Sequence, residues 1–109
     1  MDVEGANGAL AGLAQETRLE TFRLLVRHEP GGLPAGEVAR LMQVPQNTMS
    51  THLAVLTRAG LLTSERRSRS IIYRANLGQL RSLMVFLVKD CCQGRAELCD
   101  PLVAELTCC

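Results

Sequence analysis

The fold is decided by residues 46–60, which read QNTMSTHLAVLTRAG. Met49, Leu53 and Leu56 recur at helical spacing and form one apolar stripe. Short polar side chains occupy the other side, and Gly60 is a good left-handed stop for a helix. An amphipathic helix is therefore predicted from Gln46 or Asn47 to Ala59, and its exposed side is rich in hydrogen-bonding groups.

A second helix is predicted for residues 35–42, because Pro34 suits its first turn and Glu37 favours its N-terminus. Two short helices around the break at 43–45 are typical of a helix-turn-helix, whose second helix reads the major groove of DNA. The candidate DNA-contacting residues of that helix are Gln46, Asn47, Thr48, Ser50, Thr51, His52 and Arg58. An ordinary surface helix is the alternative, and His52 is as well explained by packing that orients the helix.

The periodicity of the chain changes after Gly60. Residues 61–66 and 70–75 are predicted to be strands, and the link between them is short, polar and basic. The resulting hairpin, or wing, is expected to contact phosphates or an adjacent minor groove through Arg66, Arg67 and Arg69.

The charge distribution agrees with a DNA-binding middle third. Residues 37–75 carry six arginines against two glutamates, giving +4, within a chain whose net charge is only +1. Residues 1–36 balance to −2 and residues 76–109 to −1. One basic face is typical of a domain that touches a polyanion, although a solvated basic surface is the alternative.

The length and composition of the chain exclude other classes. At 109 residues it is predicted to hold one mainly helical domain with a small β-hairpin wing. The longest apolar run spans six residues, 83–88, far short of the roughly 20 that a membrane helix needs. No signal peptide is visible, so a soluble, cytoplasmic protein without a membrane partner is expected.

The remaining elements flank this core. Residues 1–9 are predicted to be a mobile N-terminus, residues 10–92 the winged helix-turn-helix and dimerisation domain, and residues 93–109 a cysteine-containing tail. Within the domain, a short helix is expected near residues 10–14 and a longer one from Thr17, capped by that residue with Glu20, to about Glu29.

The last long helix is predicted from Leu77, after an Asn76 cap with Gln79, to about Cys92. A final short helix is predicted at residues 100–106. Eight of the twelve residues 77–88 are apolar, more than one amphipathic face requires, so a partner helix and a homodimer are expected. The candidate dimer-seam residues are Leu80, Leu83, Met84 and Leu87.

The cysteines all lie in the last nineteen residues of the chain. They are Cys91, Cys92, Cys99, Cys108 and Cys109. An odd number, two adjacent pairs and no secretory signal argue against a disulfide framework, and in a reducing compartment such clustering indicates metal binding or redox chemistry.

Several of these stretches resemble the ArsR/SmtB family of metal-responsive repressors over about residues 10–92. The stretches are QETRL at 15–19, STHLAVL at 50–56, RAGLL at 58–62 and the wing end IIY at 71–73. The resemblance implies a winged-helix homodimer that binds an inverted repeat in operator DNA at metal-resistance genes and has lower DNA affinity once the inducer binds.

The resemblance also indicates which of the family's known metal sites this sequence could form. One arsenic site of the family uses a Cys-x-Cys pair in the first helix of the helix-turn-helix, but residues 35–41 hold no cysteine. The zinc and cobalt sensors use Asp and His along the last helix, where residues 76–92 hold no histidine and one acid, Asp90. The pattern that remains resembles arsenic-sensing members with a Cys-Cys pair at the end of the last helix and a third cysteine soon after, here Cys91, Cys92 and Cys99.

Three soft thiolates suit trivalent arsenic, whereas structural zinc prefers four ligands. We therefore expect an arsenite-responsive repressor with As(III) as its inducer and no organic cofactor. Antimonite, methylarsenite or another thiophile is an alternative inducer, and Cys108 and Cys109 are either an auxiliary site or a solvated tail. Cys91 could instead be a buried small hydrophobe.

Two further alternatives concern the class of protein. Vicinal cysteines could form a redox switch in a DNA-binding regulator. A small thiol reductase would need an activated cysteine near a basic group and an anion-binding loop, and neither is visible, so no enzymatic activity is expected.

Overall fold

The structure is a computed structural model that describes residues 1–89, 101–102 and 104–106. Its elements are α1 (Val3–Leu13), α2 (Glu16–Arg27), β1 (Leu33–Pro34), α3 (Ala35–Met42), α4 (Gln46–Arg58), β2 (Leu62–Arg67), β3 (Ser70–Ala75) and α5 (Leu77–Lys89). The prediction of a mainly helical chain with a β-hairpin wing is confirmed. No helix among the described residues is long and apolar enough to cross a membrane.

Most of the segment predicted to be a mobile N-terminus, residues 1–9, belongs to helix α1, which begins at Val3. The Asp2 carboxylate caps α1 by accepting a hydrogen bond of 2.7 Å from the Gly5 amide. Ala6 and Ala9 are buried in the core. The glycines suggested mobility because glycine destabilises a helix. This cap and the close packing that small residues allow compensate for that effect.

Helix α2 starts one residue earlier than predicted and ends at Arg27, short of Glu29. Its cap is Gln15, whose side chain accepts a hydrogen bond of 2.8 Å from the Arg18 amide. Thr17 already lies within the first turn of the helix, so the predicted cap at Thr17 with Glu20 is wrong.

The sheet contains three antiparallel strands in the order β1-β3-β2. The hairpin register runs from Leu62 opposite Ala75 to Arg67 opposite Ser70. Strand β2 is shifted one residue from the predicted 61–66, and its turn is only two residues long. The two-residue strand β1 was not predicted, and its pairing with β3 fixes the wing to the start of α3.

Helix α4 packs against both α2 and α3 around a core of fully buried side chains. That core includes Leu25, Val38, Met49, Leu53, Leu56 and Leu61. The buried hydroxyl of Thr21 donates to the Met49 sulfur at 3.8 Å, which links α2 to α4. Helix α3 ends at Met42 as predicted, whereas α4 ends at Arg58, one residue before the predicted Ala59. The predicted stop, Gly60, is in the left-handed region at φ +81°.

Helix α5 begins at the predicted Asn76 cap, whose Oδ1 accepts a hydrogen bond of 3.2 Å from the Gln79 amide. Lys89 is its last described residue, so the predicted continuation to Cys92 lies outside the described residues. Residues 101–102 and 104–106 are helical, in agreement with the predicted final helix.

One of the four predicted dimer-seam residues is placed differently. Leu83 is only 3% exposed and belongs to the chain's own core, so its assignment to a seam is wrong. Leu80 packs partly against the same core, Met84 is half-buried, and Leu87 is 42% exposed. The apolar excess of α5 is thus divided between the inside of the chain and its surface.

Candidate nucleic-acid interface

Helix α4 has one buried face and one exposed face. Met49, Leu53 and Leu56 are fully buried and fix the rotation of the helix about its axis. The predicted contact residues Gln46, Asn47, Thr48, Ser50, Thr51 and Arg58 are all exposed. The structure therefore presents these six residues to solvent on a single helix, as a helix that reads a major groove requires.

The exposed polar side chains of α4 differ in whether they already form hydrogen bonds within the chain. The Asn47 side chain accepts a hydrogen bond of 2.9 Å from the Thr48 amide, and the Thr51 hydroxyl donates to the Asn47 carbonyl at 3.4 Å. The side chains of Gln46 and Ser50 form no hydrogen bond with any other described residue. These two side chains can turn to an external partner without first breaking a bond within the described chain.

His52 is half-buried, unlike its exposed neighbours. Its Nδ1 atom is enclosed and has no hydrogen-bond partner in the described part of the chain. One side of the ring is therefore packed against the protein, which favours the orienting role over a contact made by the whole ring. A DNA contact by His52 remains a prediction.

The wing carries its three predicted arginines on the surface, but they are not equivalent. Arg67 donates from Nη2 to the Glu65 carboxylate at 3.2 Å. Arg66 and Arg69 form no ion pair with any described residue. The latter two are therefore the cations of the wing that are immediately available to a phosphate.

A groove of about 380 Å³ joins the helix-turn-helix to the wing. Its walls come from the start of α3, the first residue of α4 and the tip of the wing. The lining residues are Pro34, Ala35, Gly36, Gln46, Arg69, Ser70 and Ile71. Gln46 and Arg69, predicted separately from a helix and a hairpin, thus face one concave surface.

The base of the wing is held by an ion pair that the sequence pattern did not reveal. Arg74 on β3 binds the Glu29 carboxylate with two of its three guanidinium nitrogens, Nε to Oε1 at 3.2 Å and Nη2 to Oε2 at 2.8 Å. The hydrogen bonds from Arg74 hold the pKa of Glu29 below its ordinary value. The partners are 45 residues apart, so no local spacing could have paired them. Arg74 therefore has a structural role, because its guanidinium group is bound to Glu29.

The predicted metal ligands Cys91, Cys92 and Cys99, with Cys108 and Cys109, all lie outside the described residues. Within the described ranges, no group of three or more His, Cys, Asp or Glu side chains is placed to hold a metal ion. The arsenic site therefore remains a prediction from the sequence.

Comparison with known proteins agrees with this geometry. A family model described as a helix-turn-helix domain matches residues 13–65. The winged helix-turn-helix DNA-binding domain of a possible ArsR-family regulator from Mycobacterium bovis, a homodimer, has a TM-score of 0.66 at 21% identity over 84% of this chain and 82% of its own. A possible transcriptional regulator for arsenical resistance is 30% identical, with a TM-score of 0.65, over 89% of this chain and 94% of its own. This chain belongs to the ArsR/SmtB family.

Membership of the ArsR/SmtB family makes the protein a DNA-binding transcription regulator and confirms the prediction that it is not an enzyme. The transcriptional activator HlyU of Vibrio cholerae is 27% identical over 85 residues, which cover 78% of this chain and 76% of HlyU. That relative is an activator, and repression by this ArsR/SmtB protein is a prediction.

Proposed function

We propose that this protein is a homodimeric repressor that leaves its operator when trivalent arsenic binds Cys91, Cys92 and Cys99. The observation that carries the proposal is the position of α5. Its Asn76 cap donates from Nδ2 to the Gly60 carbonyl at 2.9 Å, directly after the DNA-facing helix α4. In the sequence, Cys91 and Cys92 lie two and three residues after Lys89, the last described residue of α5.

The DNA-binding part of the proposal rests on the surface shared by α4 and the wing. We assign the exposed side chains of α4 to base edges in the major groove, since groups such as Ser50 and Gln46 can donate and accept there. Arg66 and Arg69 are assigned to phosphates, which supply affinity and salt dependence rather than sequence choice.

The homodimer is supported by apolar surface left exposed on α5. Leu77, Val85 and Leu87 are 41%, 46% and 42% exposed. A groove of about 350 Å³ runs along the same helix, and it is lined by Leu77, Leu80, Arg81, Met84, Val85, Val88, Leu102 and Leu106. A second copy would cover this surface and place two α4 helices about one DNA turn, roughly 34–36 Å, apart on an inverted repeat.

The choice of arsenic rests on ligand chemistry and on kinship. Three thiolates match the trigonal coordination of trivalent arsenic, and soft ligands select soft ions. The 30% identical relative described as a possible regulator for arsenical resistance agrees with that choice. Thiolates of this kind stay reduced in the cytoplasm, where we place the protein.

The proposed coupling is modest in energy. A hundredfold loss of operator affinity requires about 2.7 kcal/mol of coupling between the two sites. Ligand binding that distorts the end of α5 would shift the dimer seam and, through the Asn76–Gly60 contact, the end of α4. Either movement changes the spacing of the two recognition helices.

A titration of the reduced protein tests the inducer. Arsenite, antimonite, methylarsenite and zinc are added in turn, and release of promoter DNA is followed by fluorescence anisotropy. We expect release by the trivalent arsenicals and antimonite at concentrations where zinc has little effect. Release by zinc alone would contradict the proposed site.

The adjacent cysteines favour a second candidate, a thiol redox-sensing regulator. Oxidation of the Cys91–Cys92–Cys99 cluster, rather than arsenic binding, would then change DNA affinity. Treatment with a disulfide-forming oxidant, followed by reduction, separates the two: reversible release by the oxidant with no response to arsenite would favour the redox candidate.

A further inference from the structure

Charged side chains of alternating sign follow one another along one face of the wing. Glu29 holds Arg74 at the base, as described above, and Glu65 holds Arg67 near the tip at 3.2 Å. Residues 65 and 67 share a face of β2 because side chains alternate along a strand. Arg74 lies opposite Thr63, diagonal to Glu65 on that same face. Glu65 therefore sits between two cations.

Glu65 is unusual in its surroundings. It is the only acidic residue between Glu37 and Asp90, and it lies on the most basic segment of the chain. Its side chain is exposed and its strand partner is Ile72, so the fold does not require a charge there. An exposed ion pair of this kind contributes little to stability. A stabilising role for the wing therefore does not account for the carboxylate.

The other wing arginines are not restrained in this way. Arg66 faces the opposite side of β2, across from Ile71, and Arg69 lies in the turn beside the groove with Gln46. The wing thus has a cationic side and a side on which positive and negative charges cancel.

We propose that Glu65 limits the DNA affinity of the wing by binding Arg67 and by placing a negative charge next to the phosphate backbone. The proposal rests on the assignment of the wing to DNA. A phosphate must compete with the Glu65 carboxylate for Arg67, and that carboxylate itself faces the polyanion. Binding to DNA of any sequence is weakened, so a larger share of the affinity must come from base contacts made by α4.

The test uses the full chain and a short mixed-sequence DNA duplex, with affinity measured by anisotropy across a range of salt concentrations. The variants are Glu65→Gln, Arg67→Ala and the double variant. Glu20→Gln is the matched control, because Glu20 binds Arg23 at 3.1 Å in a similarly exposed pair on α2 and the change alters net charge equally.

We expect Glu65→Gln to tighten binding by about 3- to 10-fold at low salt and to steepen the slope of log K against log salt by up to about 0.9, the value for one more phosphate contact. The gain should be clearly smaller in the Arg67→Ala background, where the change removes only the repulsion between the carboxylate and the phosphates, and Glu20→Gln should have no effect.

Unchanged or weaker binding by Glu65→Gln overturns the proposal. An equal gain in the Arg67→Ala background, or with Glu20→Gln, overturns the specific role of the pair in favour of a general charge effect. Failure of the unmodified chain to bind any duplex contradicts the DNA assignment itself, and this outcome is distinct from the other two.

Discussion

Gly60 has two structural roles. Its backbone is left-handed, and its carbonyl accepts the hydrogen bond from Asn76 that joins the end of α4 to the start of α5. A β-carbon at this position would also come within 3.3 Å of the Gln79 Nε2 atom. The sequence predicted the stop at Gly60 from local chemistry, whereas the contact with Asn76 depends on the tertiary fold and left no local signal.

We expect Gly60→Ala to lower the free energy of unfolding by about 1–2 kcal/mol, the cost of a left-handed conformation for a residue with a β-carbon. Gly8→Ala is the matched control, since Gly8 lies within α1 and a β-carbon there would meet nothing within 4 Å. That change should be neutral or stabilising by up to about 1 kcal/mol. Urea unfolding of both variants measures the difference, and equal stability would contradict this role for Gly60.

The elements differ in how well the sequence predicted them. Helix α4 has a strong apolar period and a glycine stop, so its bounds were predicted within a residue. Only the last part of α1 was predicted, as a short helix near residues 10–14, because its first part is built from small residues whose packing depends on a long-range fit of Ala6 and Ala9. Strand β1 is two residues long and exists only through its pairing with β3. Local pattern thus identifies elements that are amphipathic and long.

Different parts of the DNA surface should have different effects on binding. Arg69→Ala removes a wing cation that forms no ion pair with the described residues, so it should weaken binding to all sequences and reduce the magnitude of the salt slope by about 1. Ser50→Ala on α4 should leave the salt slope unchanged and alter the preferred sequence. Selection of bound sequences from a random pool, with affinities across a salt series, checks both. An unaltered salt slope for Arg69→Ala would place the wing away from phosphates.

At the scale of the whole molecule, the division of α5 between core and surface sets up the dimer test. Leu87→Glu places a charge on exposed apolar surface and should give folded monomers that no longer bind an inverted repeat. Leu83→Glu should instead unfold the chain, because it buries an unpaired charge in the core. Sedimentation and circular dichroism distinguish the two outcomes. A Leu87→Glu chain that sediments as a dimer would show that the seam lies elsewhere.

The central claim is that arsenic acts through three thiolates beyond the described end of α5. Single Ser replacements of Cys91, Cys92 and Cys99 are therefore the most direct test, with the double replacement of Cys108 and Cys109 as the control. A hydroxyl is a poor ligand for a soft centre, and an inorganic ion keeps only two anchors when one of three sulfurs is lost.

The measurement is release of promoter DNA during titration with arsenite. Each single variant should bind DNA like the unmodified protein and lose most or all of its response, while the Cys108/Cys109 variant responds nearly normally. Methylarsenite, which needs only two sulfurs, should still act on the single variants. A normal arsenite response in all three single variants would contradict the account, and a response lost only with Cys108 and Cys109 would move the site to the terminus.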